Sequence, residues 1–292
     1  MKEALLYTKE SNRIVHCLCC EHHCVIRNGA VGVCNVRKNE DGKLYSLVYG
    51  KIIAQHVDPI EKKPLYHFLK GSLTYSIATV GCNFKCKHCQ NADIAQFREH
   101  VGEEDWIPGA LLKPVDIVRF AGENNCESIA YTYTEPTIFV QFALETMKLA
   151  RQAGLKNVWV SNGYFSNDTF ELIKYYLDAI NIDLKFFNDL TYKQICGAKL
   201  EPVLRSIRSC VANNIHTEVT TLVIPGMNDS NTELHRIADF LYNVDPEIVW
   251  HLSAFYPASE MKDVSPTSIG TLNRALKIGL AAGLKNVYLG NV

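Results

Sequence analysis

The sequence predicts an α/β fold: a full or partial (β/α) TIM-type barrel with a Cys-rich N-terminal metal-binding segment. Three observations carry that reading. From about residue 72, short apolar runs alternate with amphipathic stretches, the order that builds a parallel sheet covered by helices. A near-copy recurs, "AGLKNVWVSNG" at 153–163 and "AGLKNVYLGNV" at 282–292, each reading as helix end, Gly turn and strand. Eight of the eleven cysteines fall between Cys17 and Cys89, a crowding that points to metal or iron–sulfur ligation. The expected division is a metal-binding segment over 1–70 and a barrel over 71–292.

The first 70 residues show no helical period and are rich in Cys, His, Gly and charge. Cys17, Cys20, Cys24 and Cys34 form C-x2-C-x3-C-x9-C, with Cys19, His16, His22 and His23 close by. Four such ligands could close a zinc site that staples a segment too short for its own core. They could equally hold a second [4Fe–4S] cluster, and unligated reduced thiols are the bland alternative. The tight mixing of Cys and His tips the balance toward zinc. The segment closes on the Pro-punctuated run "HVDPIEKKPLYHF".

Strand candidates then follow in order: "LTYSIAT", "SIAYTY", "NVWVSN", "AINIDLK", "TEVTTLVI", "IVWHLSA" and "NVYLGN". Between them helical spacing returns, with Phe139, Phe142, Ala143 and Met147 on one face and Phe170, Ile173 and Leu177 on another. Six or seven such units suit a barrel better than a dinucleotide-binding sheet, and no G-x-G-x-x-G follows the first strand.

In a parallel barrel the chemistry lies at the C-terminal strand ends. That rim should carry Cys82, Cys86 and Cys89 after the first strand and Glu135 after the second. Asn162 follows the third, Asp183 and Lys185 the fourth, and Pro225–Asn228 the fifth. Tyr133, Tyr164, Phe255 and Tyr256 are expected to line it. C-x3-C-x2-C on one loop can bind three irons of a [4Fe–4S] cluster and leave the fourth iron open, whereas a closed zinc site would need a distant fourth ligand. Cys126, Cys196 and Cys210 read as small buried apolar residues.

A net charge of -1 gives no electrostatic case for a nucleic-acid or membrane partner. The N-terminus lacks a signal-peptide core and no apolar run is long enough to span a bilayer. A cytoplasmic protein with reduced thiols is expected.

The three-cysteine loop after a first barrel strand resembles the signature of the radical S-adenosylmethionine (SAM) superfamily. The resemblance implies that a [4Fe–4S] cluster binds SAM through its open iron and cleaves it reductively. The product would be a 5′-deoxyadenosyl radical that abstracts hydrogen from an unidentified substrate, whether small molecule, protein or RNA. The superfamily often has an aromatic residue where this chain has His88. "YTYTEP" occupies the place of a Gly-Gly-Glu motif, so Glu135 would help hold the SAM amino group. "VSNG" and "NIDLK" resemble runs of glycyl-radical activating enzymes such as pyruvate formate-lyase activase, which makes Asn162, Asp183 and Lys185 candidates for ribose and carboxylate contacts. Val160 stands where that family has an Asp.

A narrower likeness covers almost the whole chain. "CLCCEHHCVIRNGAVGVCNVR", "DPIEKKPLYHF", "GCNFKCKHCQN", "YTYTEPTIF" and "LVIPGMND" resemble the AmmeMemoRadiSam system radical SAM enzymes. That likeness implies association with Memo-like and AMMECR-like proteins and an electron donor such as flavodoxin or ferredoxin. Many members continue into a Cys-containing tail, so a chain ending at Val292 reads as a shorter or truncated member. A glycyl-radical enzyme activating enzyme is the alternative, and a non-catalytic zinc or iron–sulfur binding protein is the third reading.

Overall fold

A computed structural model describes residues 1–98 and 106–292. The N-terminal unit is built from short strands: β1 (Lys2–Glu3), β2 (Tyr7–Lys9), β3 (Val15–Cys17), β4 (Val25–Ile26), β5 (Arg37–Glu40), β6 (Lys43–Ser46) and β7 (Lys51–Ile52). They form two antiparallel three-stranded sheets, β2-β3-β4 and β1-β6-β5, while β7 pairs with β10 (Ala110–Leu111). Strands this short need outside support. The helices and turns that follow β11 and β12 give it: Arg37 donates to the Ile138 carbonyl and Gln141, and Ser166 and Thr169 donate to the Cys19 carbonyl.

The main sheet holds β8 (Ala54–Pro59), β9 (Leu73–Ala78), β11 (Ser128–Tyr131), β12 (Lys156–Ser161), β13 (Ala179–Asp183), β14 (His216–Val223), β15 (Val249–Ala254) and β16 (Asn286–Gly290). From β9 to β16 every neighbouring pair is parallel; β8 is antiparallel to β9. Because helices cover these strands, their runs are apolar on both faces: all four residues of β11 are buried. Among the described residues no ladder joins β16 to β8, so the closed barrel that was one of the two expected forms is not made. The sheet also reaches back across the expected boundary at residue 70, since β8 is one of its strands.

The helices bury the faces their spacing foretells. Leu200–Ala212 buries Leu200, Val203, Leu204, Ile207 and Cys210. Ser166, Asn188, Ser230 and Ser268 cap the helices that follow β12, β13, β14 and β15, each accepting a backbone N–H three residues on.

The run after β8 plugs the inner face of the sheet at the N-terminal half of its strands. Ile60 and Leu65 pack with Ala130, Val158 and Ala179, and Asn181 donates to the Pro64 carbonyl at 2.8 Å. Glu218 on β14 holds the end of the plug. Its carboxylate accepts from the Tyr66 and His67 amides and pairs with His216 and His251 at 2.9 and 2.6 Å. Burial opposes its charge, but the His216 and His251 bonds and the two amides hold the carboxyl down at about 2. A carboxyl lowered on folding adds stability above its ordinary value, which is lost as pH falls from about 4.5 toward about 2. Glu218→Ala is therefore expected to cost roughly 3–5 kcal/mol at neutral pH, because it strands buried donors. The urea midpoint reads this; an unchanged midpoint would remove Glu218 from the role of anchor.

Candidate active site

The loop after β9 is pinned from both sides. Gly81 donates its N–H to Ile94, while Lys85 and Lys87 donate theirs to Cys196 and Ile195, at the end of helix Asp189–Cys196. These bonds set Cys82, Cys86 and Cys89 around one hollow, with Cys86 buried and the other two half-buried. Gly81 has φ +96°, and the Cβ it lacks would fall 2.9 Å from the Cys34 carbonyl oxygen, so glycine is required for this close approach.

Cys196 was expected to be a small buried apolar residue, and it is fully buried in the core; what the expectation did not include is its place beside the cysteine loop. The ligand atoms of Cys86, His88 and Cys196 lie within 4.8 Å of one another. Sequence spacing could not reveal this, because the meeting depends on the pairing of the loop with a helix end more than a hundred residues away. His88 is 3% exposed, and neither ring nitrogen has a hydrogen-bond partner. Burial, with Lys185 nearby, pushes it down to about 3, so the imidazole is neutral.

Glu135 follows β11 and is fully buried. Its Oε1 accepts from the Thr137 amide and hydroxyl and from Ser161 Oγ at 2.9 Å; Oε2 accepts from the Asn162 amide at 2.8 Å. Burial raises its pKa against these bonds. Glu135 therefore also caps the short helix Pro136–Phe139, and only Oε2 keeps ample acceptor capacity. Asn162, after β12, donates to Asn83 Oδ1 at 2.7 Å and so ties the β12 loop to the cysteine loop.

At the end of β13, Asp183 and Lys185 form a 2.9 Å ion pair. Burial would lower the Lys185 pKa, but Asp183 and the Cys86 and Cys196 sulfurs hold it well above its ordinary value. Asn228 plays a structural part away from the hollow: it donates to the Lys185 and Leu222 carbonyls and accepts from the Ile224 amide.

One cavity of about 350 Å³ is lined by Cys82, Cys86, Cys89, Glu135, Asn162, Asp183 and Lys185. Thr220 on β14 and Ser253 on β15 line it as well. Neighbouring strands stand roughly 4.8 Å apart, so a flat sheet could not bring β9 and β15 to one small hollow; the sheet curves around it.

The plug supplies residues that sequence reasoning passed over. Lys62 and Lys63 line the same cavity. Lys63 is buried and pairs with Asp58 at 2.7 Å, and the Tyr133 hydroxyl donates to Asp58 at 2.6 Å. Burial opposes ionisation of Asp58, but Lys63, Tyr133 and Lys62 hold its carboxyl well below the usual range. Tyr133 has φ +61°, strained for an aromatic residue, and of the four aromatics expected on the rim it alone lines the cavity. Tyr164 and Phe255 are core residues, and Tyr256 points to solvent. "DPIEKKPLYHF" was legible as an unusual run; its charges belong to the site because the chain doubles back through the sheet.

The donor set suits a cluster. In a tetrahedral zinc site with Zn–S bonds near 2.3 Å, sulfurs stand about 3.8 Å apart. Cys82, Cys86 and Cys89 do not converge to that degree, and polar groups instead of a fourth thiol face the open side of the hollow.

Comparisons with known proteins agree with this geometry. A family model described as Radical SAM superfamily matches residues 76–241. The chain is 41% identical over its full length to the uncharacterised protein MJ0808 of Methanocaldococcus jannaschii, spanning 86% of that protein. It is 21% identical over 162 residues to the Escherichia coli pyruvate formate-lyase 1-activating enzyme, covering 55% of this chain and 65% of that one. The fold is similar to that of Streptococcus suis SuiB bound to S-adenosylmethionine, with a TM-score of 0.57, 13% identity, and coverage of 73% of this chain and 49% of SuiB. The chain thus belongs to the radical SAM superfamily, and it is an enzyme that works with a [4Fe–4S] cluster and SAM.

Proposed function

We propose that Cys82, Cys86 and Cys89 hold the [4Fe–4S] cluster, and that Glu135, Asn162, Asp183 and Lys185 bind SAM over it on a partial barrel. The supporting observation is their convergence, from separate strand ends, on one cavity of about 350 Å³. When bound, the cluster and SAM supply reductive C–S cleavage and a radical that takes hydrogen from the substrate. The chain's own residues position and shield. Glu135 offers the free acceptor capacity of Oε2 to the SAM ammonium. Lys185, charged and half-buried, suits a carboxylate, and Asp183 a ribose hydroxyl. The Asp58–Lys63–Tyr133 group closes the floor and keeps water from entering through the sheet.

Anaerobically reconstituted protein with dithionite is expected to release 5′-deoxyadenosine and methionine from SAM. Glu135→Ala is expected to weaken SAM binding about tenfold or more, equivalent to roughly 1.4 kcal/mol, with iron content unchanged. Equilibrium binding checks this. Normal binding by Glu135→Ala, Asn162→Ala and Asp183→Ala alike would move the SAM site elsewhere.

Placement among the AmmeMemoRadiSam enzymes rests on the sequence runs, and co-purification with a Memo-like and an AMMECR-like protein tests it. A flavodoxin or ferredoxin donor and a cytoplasmic setting belong to the same reading; among the described residues no helix is long and apolar enough to cross a membrane. The E. coli relative's name favours a second reading, activation of a glycyl-radical enzyme. An EPR doublet on a partner enzyme after turnover would select it.

A further inference from the structure

We infer that Cys17, Cys20, Cys24 and Cys34 hold a second iron–sulfur cluster, set directly behind the loop that carries the first. The inference does not depend on the reading of the barrel site.

Five thiols, those of Cys17, Cys19, Cys20, Cys24 and Cys34, line one enclosed cavity between the N-terminal unit and the Thr137–Ile138 turn. Zinc would draw three or four of these sulfurs to about 3.8 Å from one another. No three of them lie within even 4.8 Å: among the described residues, Cys86, His88 and Cys196 are the one such group. Sulfurs gathered on a common hollow yet held apart fit a cage of irons and sulfides, because a body several atoms wide lies between them. The same wide spacing marks Cys82, Cys86 and Cys89. This turns the balance that Cys and His content alone had tipped toward zinc.

Charge calls for a thiolate-ligated metal group in this cavity, a need that zinc and iron–sulfur ligation meet alike. Arg37 also lines this cavity, is 2% exposed, and spends its donors on Leu5, Ile138 and Gln141, none of them charged. Among the described residues no carboxylate pairs with it. A buried guanidinium without a counter-charge is costly, and an anionic thiolate-ligated cluster supplies that charge. Cys19 stands apart, its thiol donating to the Thr137 carbonyl at 3.0 Å. That makes it the fifth wheel of the set.

The position gives the site a purpose in redox terms. The Cys34 carbonyl lies against Gly81, the residue before Cys82, and His22 bonds the Asn83 carbonyl at 2.7 Å. A one-electron carrier in the N-terminal cavity is therefore packed against the barrel loop.

The experiment uses the full chain with Cys82, Cys86 and Cys89 all changed to Ala, purified anaerobically after expression with iron and sulfide supply. We expect about four irons and four sulfides per chain, with zinc near zero and an EPR signal on dithionite reduction. Adding Cys24→Ser should remove both iron and sulfide, whereas adding Cys19→Ser should leave them. One zinc per chain without sulfide would overturn the inference. So would a metal-free chain in which residues 10–50 resist proteolysis as in the wild type. Should Cys24→Ser fail to fold, the Cys19→Ser chain and the metal and sulfide content of the parent triple variant still decide it. Four irons in the triple variant, with no SAM cleavage by the wild type, would sink the proposed function and leave this inference standing.

Discussion

Changing Cys82, Cys86 and Cys89 together to Ala is expected to abolish release of 5′-deoxyadenosine from SAM, a loss of more than about 1,000-fold or roughly 4 kcal/mol of barrier. The three thiols are the cysteines that line the cavity, and Cys196 lies close to Cys86 behind it. The fold should survive, because backbone groups hold the loop: Gly81 to Ile94, Lys85 to Cys196, Lys87 to Ile195, and Glu260 to Lys87. Circular dichroism and the urea midpoint check that. Cys196→Ala is the control that gives the result its meaning. Iron retained at the barrel site in Cys196→Ala, and lost in the triple variant, assigns the ligands as proposed. Undiminished SAM cleavage in the triple variant would defeat the assignment, while iron lost in Cys196→Ala would make Cys196 a ligand.

What the sequence disclosed follows from what is local in it. Apolar runs such as "AINID" and caps such as Ser230 are set by near neighbours, so strands and helices were readable in order. Part of the rim was readable too, its polar residues after the second, third and fourth of these strands, because the end of a parallel strand fixes where the next residues face. Glu135, Asn162, Asp183 and Lys185 reach one hollow for that reason. Two features were closed to such reading. The place of Cys196 beside Cys86 was hidden because loop–helix pairing brings the two together across more than a hundred residues. Asp58 and Lys63 were read only as part of a distinctive run, because nothing local shows that "DPIEKKPLYHF" turns back through the sheet. Openness of the sheet was equally hidden: whether β16 meets β8 depends on the summed curvature of eight strands, not on any one of them.

Gly81→Ala is expected to destabilise the protein by roughly 3 kcal/mol or more, and to lower iron content with it. Two costs combine. A non-glycine residue held at a strongly positive φ costs ~1–3 kcal/mol, and Gly81 sits at +96°. The added Cβ would also lie 2.7 Å from Val36 Cγ1, 2.9 Å from the Cys34 carbonyl oxygen and 3.2 Å from Ile138 Cδ1. A side-chain methyl can give way, but the Cys34 carbonyl belongs to the backbone, and overpacking of this kind adds ~1–3 kcal/mol. Gly71→Ala isolates the first cost, since Gly71 has φ +82° with nothing within 4 Å of its added Cβ. The difference between the two urea midpoints is then the packing of the N-terminal unit against the cysteine loop. If Gly81→Ala is no less stable than Gly71→Ala, the two units are not in the tight contact described. If it is less stable and also loses iron, the strain has moved Cys82 and Cys34 together. The two cysteine sites would then share a single structural joint at Gly81, where one carbonyl oxygen leaves no room for a methyl group.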